Sequence, residues 1–207
     1  MPQMRPEPIE KIIRIFSRFP GIGQRQAARF AYFLVNAEKS TLKNLKNLLE
    51  ELESVKHCLI CFKIHALKNK DICPICSDGA RDKNRIAVVE KELDLEAIEK
   101  SGVYNGSYHI LGGLLSALDA GNRDRLRLRE LLDRIKKNSG IKEIILALSA
   151  TAEGEFSARY IEKILEPFKK ERNLSVTRLG RGLASGTEVE YLNAETIKHA
   201  WDSRKQH

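Results

Sequence analysis

The chain has 207 residues, 42% of them hydrophobic, enough to bury a core without disulfide help. That composition excludes global disorder, collagen and coiled coil, and the longest apolar stretches, such as Ile144 to Leu148, fall far short of the roughly 18 residues a membrane span needs. Lys and Arg outnumber Asp and Glu by 36 to 28, and the excess is local: +4 over residues 1–57, +3 over 58–85, none over 86–176 and +1 beyond. A polyanionic partner is therefore expected near the N-terminal end, although charge alone is equally explained by solubility. The opening Met1-Pro2-Gln3-Met4 reaches an amphipathic pattern with no apolar signal core, so a reducing cytoplasmic compartment is expected.

In chain order, Ile9, Ile12, Ile13 and Phe16 recur at helical spacing until Phe19-Pro20-Gly21-Ile22-Gly23 breaks the pattern. A second helix, with Ala27, Ala28, Phe30, Ala31 and Leu34 on its face, follows at once. A third, marked by Leu42, Leu45, Leu49, Leu52 and Val55, is expected after a Ser40-Thr41 cap. Residues 1–57 thus read as a small helical domain. Helix, Pro20-Gly21-Ile22-Gly23, helix resembles the helix-hairpin-helix motif, whose glycines bring backbone N–H groups close to a DNA phosphate. Binding of that kind ignores base sequence. Gly21, Gly23, Arg25 and Arg29 are the candidate DNA-binding residues, the two arginines lying one helical turn apart. A tight turn that only packs two helices remains the plain alternative.

Cys58-x-x-Cys61 and Cys73-x-x-Cys76 lie within 19 residues and hold every cysteine of the chain. Two close pairs supply four thiolates for a tetrahedral site with no open position, so one structural zinc ion per chain is expected in residues 58–85. Two disulfides conflict with a reducing compartment, and a redox pair has no need of a second one. His57 and His65 flank the pairs and read as bystanders.

From Ile86 onward strands alternate with helices. Ile86–Glu90, Tyr108–Leu111, Ile144–Leu148 and Leu174–Thr177 read as buried strands, separated by helices over 94–100, 124–137 and 155–171. This predicts an α/β domain over 86–176 with a mainly parallel sheet. Arg123, Arg125, Arg127 and Arg129 wrap around their helix and read as a solvated face. Residues 177–207 form a C-terminal segment, with a strand expected near Glu188–Leu192 and a helix from Ala194. Glu90 ends the first strand of the sheet, and Ser149-Ala150-Thr151-Ala152-Glu153-Gly154-Glu155 follows a later one, where open α/β sheets place their sites. The arrangement resembles the Toprim domain of topoisomerases, primases and related nucleases, where a strand-end glutamate works with a later Asp-x-Asp run and the acidic residues beyond it to hold magnesium. Ser149 and Thr151 stand where that pattern has aspartates, so the catalytic set is broken and no catalytic residue is expected. Glu153 and Glu155 also suit the first turn of the following helix.

Hairpin, four cysteines and a Toprim-like domain, in that order, resemble the bacterial RecR family of recombination-repair proteins over essentially the whole chain. Leu111-Gly112-Gly113, Ser116 to Asp119, Tyr160-Ile161, Arg178 to Gly182 and Glu188 to Tyr191 agree with it. The resemblance implies a multidomain α/β chain: a helix-hairpin-helix unit, a four-cysteine zinc motif, a Toprim domain and a short C-terminal strand-helix segment that serves oligomerisation. It further implies a non-enzymatic clamp in DNA repair, a homo-oligomer between dimer and tetrameric ring, cytoplasmic and nucleoid-associated during repair. Such a clamp acts with RecO and RecF on single-stranded, double-stranded or gapped DNA to help load RecA. Arg25 and Arg29 match the family's basic hairpin positions, and Glu90, Glu153 and Glu155 match acidic positions that meet RecO. The sequence departs from the family at Ala117, at Ser149-Ala150 and at Ala184-Ser185-Gly186-Thr187, where prolines and glycines are usual, which bears on loop geometry. A magnesium-dependent Toprim nuclease or strand-transfer enzyme using the three glutamates is the rival reading. A protein-binding adaptor whose hairpin only dimerises it is another.

Overall fold

Three α-helices and a 3-10 turn (Leu52–Ser54) make up the first unit of the computed structural model, which describes residues 5–66, 70–116 and 126–204. Helix α1 (Glu7–Phe16) opens with proline in its first turn and with Glu7 and Glu10 against the positive end of its dipole. Helix α2 (Gln24–Asn36) follows the hairpin, and α3 (Lys39–Glu51) follows two residues later. The small Ala27 and Ala31 let α2 approach α1 closely, and with Ile13 they form a core sealed by Ile9, Ile12, Phe16 and Ile22. Phe16 meets Phe19 and Phe30 edge to face, with ring centroids at 5.6 and 5.9 Å. Helix α3 has Glu38 as its N-cap rather than the expected Ser40-Thr41, and the Ser40 hydroxyl donates to the Glu38 carboxylate instead of accepting from the helix. No residue of α3 is buried, and Leu42, Leu45, Leu48, Leu49 and Leu52 remain exposed.

The second unit spans residues 56–207. It starts with an antiparallel pair, β1 (Lys56–His57) and β2 (Ile64–His65), and a short helix α4 (Pro74–Ser77). Then strands and helices alternate: β3 (Asp82–Val89), α5 (Glu92–Ser101), β4 (Gly106–Ile110), α6 (Leu128–Lys137), β5 (Glu143–Ala147), α7 (Ala152–Arg172) and β6 (Ser175–Arg178). The four strands from β3 to β6 form a sheet of order β4-β3-β5-β6, parallel throughout. Both faces are covered, as an all-parallel sheet requires. Ile86 and Val88 of β3 and Ile144 and Leu146 of β5 pack with Leu131 and Ile135 of α6 and Ile161 and Leu165 of α7. The side chains between them, Ala87, Val89 and Ala147, join Tyr108, Ile110, Leu95 of α5 and the buried Cys58, Cys61 and Cys73. The outer strand β4 donates its Ile110 N–H to the Cys61 carbonyl at 2.9 Å, so the cysteine segment closes a sheet edge.

Two expectations are corrected here. Residues 188–192 do not form a strand: Val189–Tyr191 is a single 3-10 turn, and the strand that opens the C-terminal region is β6. Helix α8 (Ala194–Asp202) follows, capped by the Asn193 side chain, which accepts from the Thr196 N–H at 2.8 Å. Nor is Arg127 part of a solvated face. Its guanidinium lies 4.8 Å over the Phe62 ring, and its carbonyl is 2.8 Å from His109 Nε2. Arg129 is exposed, whereas Arg123, Arg125 and Ala117 to Asp119 lie outside the described residues. At Ala184–Thr187 the missing proline is no obstacle to a turn, since Gly186 at φ +85° lets Thr187 N–H reach the Ala184 carbonyl at 3.1 Å.

An ion pair from the residue before β3, and a hydrogen bond from β4, meet on Glu99 of α5. Arg81 donates to both oxygens of Glu99 at 2.9 and 2.5 Å, and the Tyr108 hydroxyl donates to Glu99 Oε1 at 2.7 Å. The Arg81 guanidinium, against the opposing effect of burial, holds the Glu99 carboxyl below its ordinary value of 4.5. A depressed carboxyl stabilises the fold above that value and loses the effect as pH falls through the folded pKa. Glu99→Gln is therefore expected to destabilise the second unit by about 2 kcal/mol at pH 7, with the deficit shrinking below pH 4. Urea unfolding at several pH values checks this.

Candidate metal centre, hairpin and acidic edge

The two cysteine knuckles come together. The ligand atoms of Cys58, Cys61, Cys73 and Cys76 all lie within 4.8 Å of one another, and Cys61 Sγ is 3.5 Å from Cys73 Sγ. A tetrahedral ion with metal–sulfur bonds of about 2.3 Å needs sulfurs roughly 3.8 Å apart, so the four side chains fit a metal ion. Backbone N–H groups of Ile60 and Cys73 point at Cys58 Sγ at 3.5 and 3.4 Å, and that of Lys63 points at Cys61 Sγ at 3.4 Å. These backbone donors orient the two sulfurs toward the cluster. All four cysteines are free of disulfides. The tight first knuckle puts Phe62 at φ +66°, a conformation costly for a bulky residue. Its ring is held there by His109, edge to face at 5.3 Å, and by Arg127. Neither histidine joins the cluster: His57 Nδ1 faces the Phe62 carbonyl at 3.1 Å, and His65 is buried with both ring nitrogens unbonded.

At the hairpin, Gly21 adopts φ +76°, which explains a glycine there, and Gly23 is the N-cap of α2. An added Cβ at either position would meet nothing within 4 Å, so the backbone is open to an approaching group. Ile22 turns the other way, into the core of the helical unit. The first turn of α2 has neither an acidic residue nor a side-chain cap, which leaves its N–H groups uncompensated. Arg25 and Arg29 are exposed on the same helix.

The sheet brings Glu90 to Ser149. Glu90 follows the C-terminal end of β3, and the Ser149 hydroxyl donates to its Oε2 at 2.7 Å. Where the Toprim pattern has a second carboxylate, this chain makes a hydrogen bond. Glu155 is taken up otherwise: Arg178 donates to its Oε2 at 3.0 Å, and Arg181 pairs with Oε1. Burial alone would raise the Glu155 carboxyl, but the two guanidinium groups hold it below the ordinary range. Arg178 also binds Glu162 at 2.7 Å. Glu153 is exposed, and its carbonyl accepts from the Ser157 hydroxyl at 2.7 Å. Among the described residues the four cysteines are the one group of three or more His, Cys, Asp or Glu ligands set close enough for a metal ion. The roles of Arg178 and Arg181 are hidden in the sequence, where more than twenty residues separate them from Glu155. Arg178, which ends β6, and Arg181 just beyond it are the only signal in the sequence.

No helix among the described residues is long and apolar enough to cross a membrane. Residues 9–52 match the family described as "RecR, helix-hairpin-helix", and residues 84–180 match the Toprim domain. The chain is 39% identical to the recombination protein RecR of Streptococcus mutans serotype c over 202 residues, 97% of this chain and 98% of that protein. It is 38% identical to those of Lactobacillus helveticus and Lactobacillus acidophilus, each over 96% of this chain and 97% of the relative. Relatives this similar along nearly the full length, with the hairpin and Toprim matches in the same order, make the chain a member of the RecR family of recombination proteins.

Proposed function

We propose that the chain is a non-enzymatic DNA-binding clamp and mediator of recombinational repair. In this reading it works in the cytoplasm with RecO and RecF at gapped or single-stranded DNA to help load RecA. The observation that carries the DNA-binding part is the hairpin: open glycine backbone at Gly21 and Gly23, an uncompensated helix N-terminus, and exposed Arg25 and Arg29 beside it. Labour divides along the chain into the hairpin unit 1–57, a structural zinc site in 58–85 on Cys58, Cys61, Cys73 and Cys76, the Toprim platform 86–176 and an oligomerisation segment 177–207. The exposed leucines of α3 support assembly with a second copy. The Toprim glutamates serve partner contact. Two of them are already engaged, Glu90 by a hydroxyl and Glu155 by arginines, and this favours the non-catalytic reading over a magnesium-dependent nuclease.

The double variant Arg25→Glu/Arg29→Glu is expected to bind DNA at least about tenfold more weakly near 0.1 M salt. Its slope of log affinity against log salt should flatten by about two phosphate contacts, with helical content unchanged. Fluorescence anisotropy with a gapped duplex and with single strands checks both. Wild-type affinity in the variant would overturn the hairpin assignment. End-labelled DNA incubated with protein and magnesium or manganese should stay intact; cleavage abolished by Glu90→Gln would make the protein an enzyme.

A further inference from the structure

Arg134 sits on α6, largely buried, and its guanidinium reaches toward the cysteine segment. Its Nη1 donates to the Tyr108 carbonyl at 2.6 Å and to the Ile60 carbonyl, inside the first cysteine knuckle, at 3.4 Å. Both acceptors are neutral. No carboxylate among the described residues lies within ion-pairing distance of it, although Glu130 and Asp133 share its helix. A buried cation held only by carbonyls is costly unless a negative charge stands near. Burial pushes the guanidinium down from its ordinary value, and the groups that act most strongly in the opposite direction are the sulfurs of Cys76, Cys61 and Cys58. Cys76, the least buried of the four cysteines, lines the same cleft of about 490 Å³ as Arg134.

A second cation stands on the other knuckle, where Lys83 Nζ donates to the Cys76 carbonyl at 3.1 Å. Four thiolates around a divalent ion carry a net charge of about −2, and negative charge of that size inside a protein calls for nearby cations. We infer that Arg134 is the buried counter-ion of the metal–thiolate centre, a positioning residue through which metal occupancy and the docking of α6 on the cysteine segment depend on each other. The inference rests on the reading of the cysteines as a zinc site. It assigns a role to a helix residue 58 positions beyond the last ligand, which the cysteine motif does not contain.

The test compares full-length wild type with Arg134→Gln, which keeps an N–H donor but loses the charge, and with Arg134→Lys, which keeps the charge. Zinc affinity is read by competition with a chromophoric chelator, and thermal midpoints are read with zinc bound and after its removal. Arg134→Gln is expected to bind zinc about 10- to 100-fold more weakly, the range for residues that support metal ligands from outside the shell. Arg134→Lys should stay within a few-fold of wild type. The midpoint deficit of Arg134→Gln should be larger in the loaded than in the stripped protein. Unchanged zinc affinity, with equal deficits in both states, would reduce Arg134 to a packing and hydrogen-bonding role and overturn the inference. Should Arg134→Gln not fold, a loss in Arg134→Lys as large as that range overturns it equally. Wild type that binds no zinc would sink the metal reading itself, and is recognised by that control alone.

Discussion

On the proposed reading of the four cysteines as a structural metal site, Cys61→Ser is expected to bring metal content to near zero and to destabilise the second unit by on the order of 5 kcal/mol. The reasons converge on this residue. Cys61 is fully buried, its Sγ accepts from Lys63 N–H, and its carbonyl accepts from Ile110 N–H at the edge of the sheet. Loss of the ion therefore loosens the pairing of the cysteine segment with β4 as well as the knuckles. A serine hydroxyl at this position is a poor ligand and a buried polar group with no metal to satisfy it. Without metal the sulfurs cannot all ionise together. The Cys61 thiol is pushed up to about 12, first by its hydrogen bond with Cys73 and further by burial, while the Cys73 thiol is lowered by the same contact. Metal must displace those protons, so binding weakens as pH falls. Elemental analysis together with thermal unfolding measures both effects, and chelator-treated wild type should reproduce the variant. A Cys61→Ser protein with wild-type stability would show that the cysteines hold no structural ion.

What the sequence made legible was whatever short-range spacing determines. The cysteine pairs lie within 19 residues, the hairpin within four, and the alternation of Ile86, Ala87, Val88 and Val89 marks a strand buried on both faces. The same local logic misled where two local rules compete. Ser40 and Thr41 look like a cap, but Glu38 takes that place and draws the Ser40 hydroxyl to itself. Glu188 to Leu192 has β-forming residues, yet none of the described strands pairs with it and it closes as a 3-10 turn. Long-range charge pairing was not legible at all. Glu155 with Arg178 and Arg181, and Arg134 with the knuckle at Ile60, are separated by 23, 26 and 74 positions, and only the parallel topology brings them together. The broken acidic set was visible as Ser149 and Thr151, but their different uses leave no trace in the sequence. Ser149 bonds Glu90 across the sheet, whereas Thr151 caps α7, its hydroxyl accepting from Gly154 N–H at 3.1 Å.

Gly154 is where that arrangement is most exposed to a single methyl group. The residue is buried in the first turn of α7 with ordinary helical backbone, so its being glycine is a matter of space rather than of φ. A Cβ there would lie 1.8 Å from the Ser149 carbonyl oxygen and 2.9 Å from its carbon. Backbone atoms cannot swing aside as a side-chain tip can, and Ser149 is further held by its bond to Glu90. Gly154→Ala is thus expected to drive the start of α7 away from the loop after β5 and to cost on the order of 3 kcal/mol, despite alanine's better helix propensity. Gly21→Ala makes the contrast. Nothing lies within 4 Å of its Cβ, so only the strain of a non-glycine residue at φ +76° remains, about 1 kcal/mol. Because Glu155 is the next residue, the shift should also weaken its pairing with Arg178 and Arg181, loosening the segment after β6. Denaturant unfolding and amide exchange over residues 178–204 read the two effects. Near-wild-type stability in Gly154→Ala would mean that the loop after β5 yields readily, and the Ser149–Glu90 bond would then be too weak to fix the acidic edge.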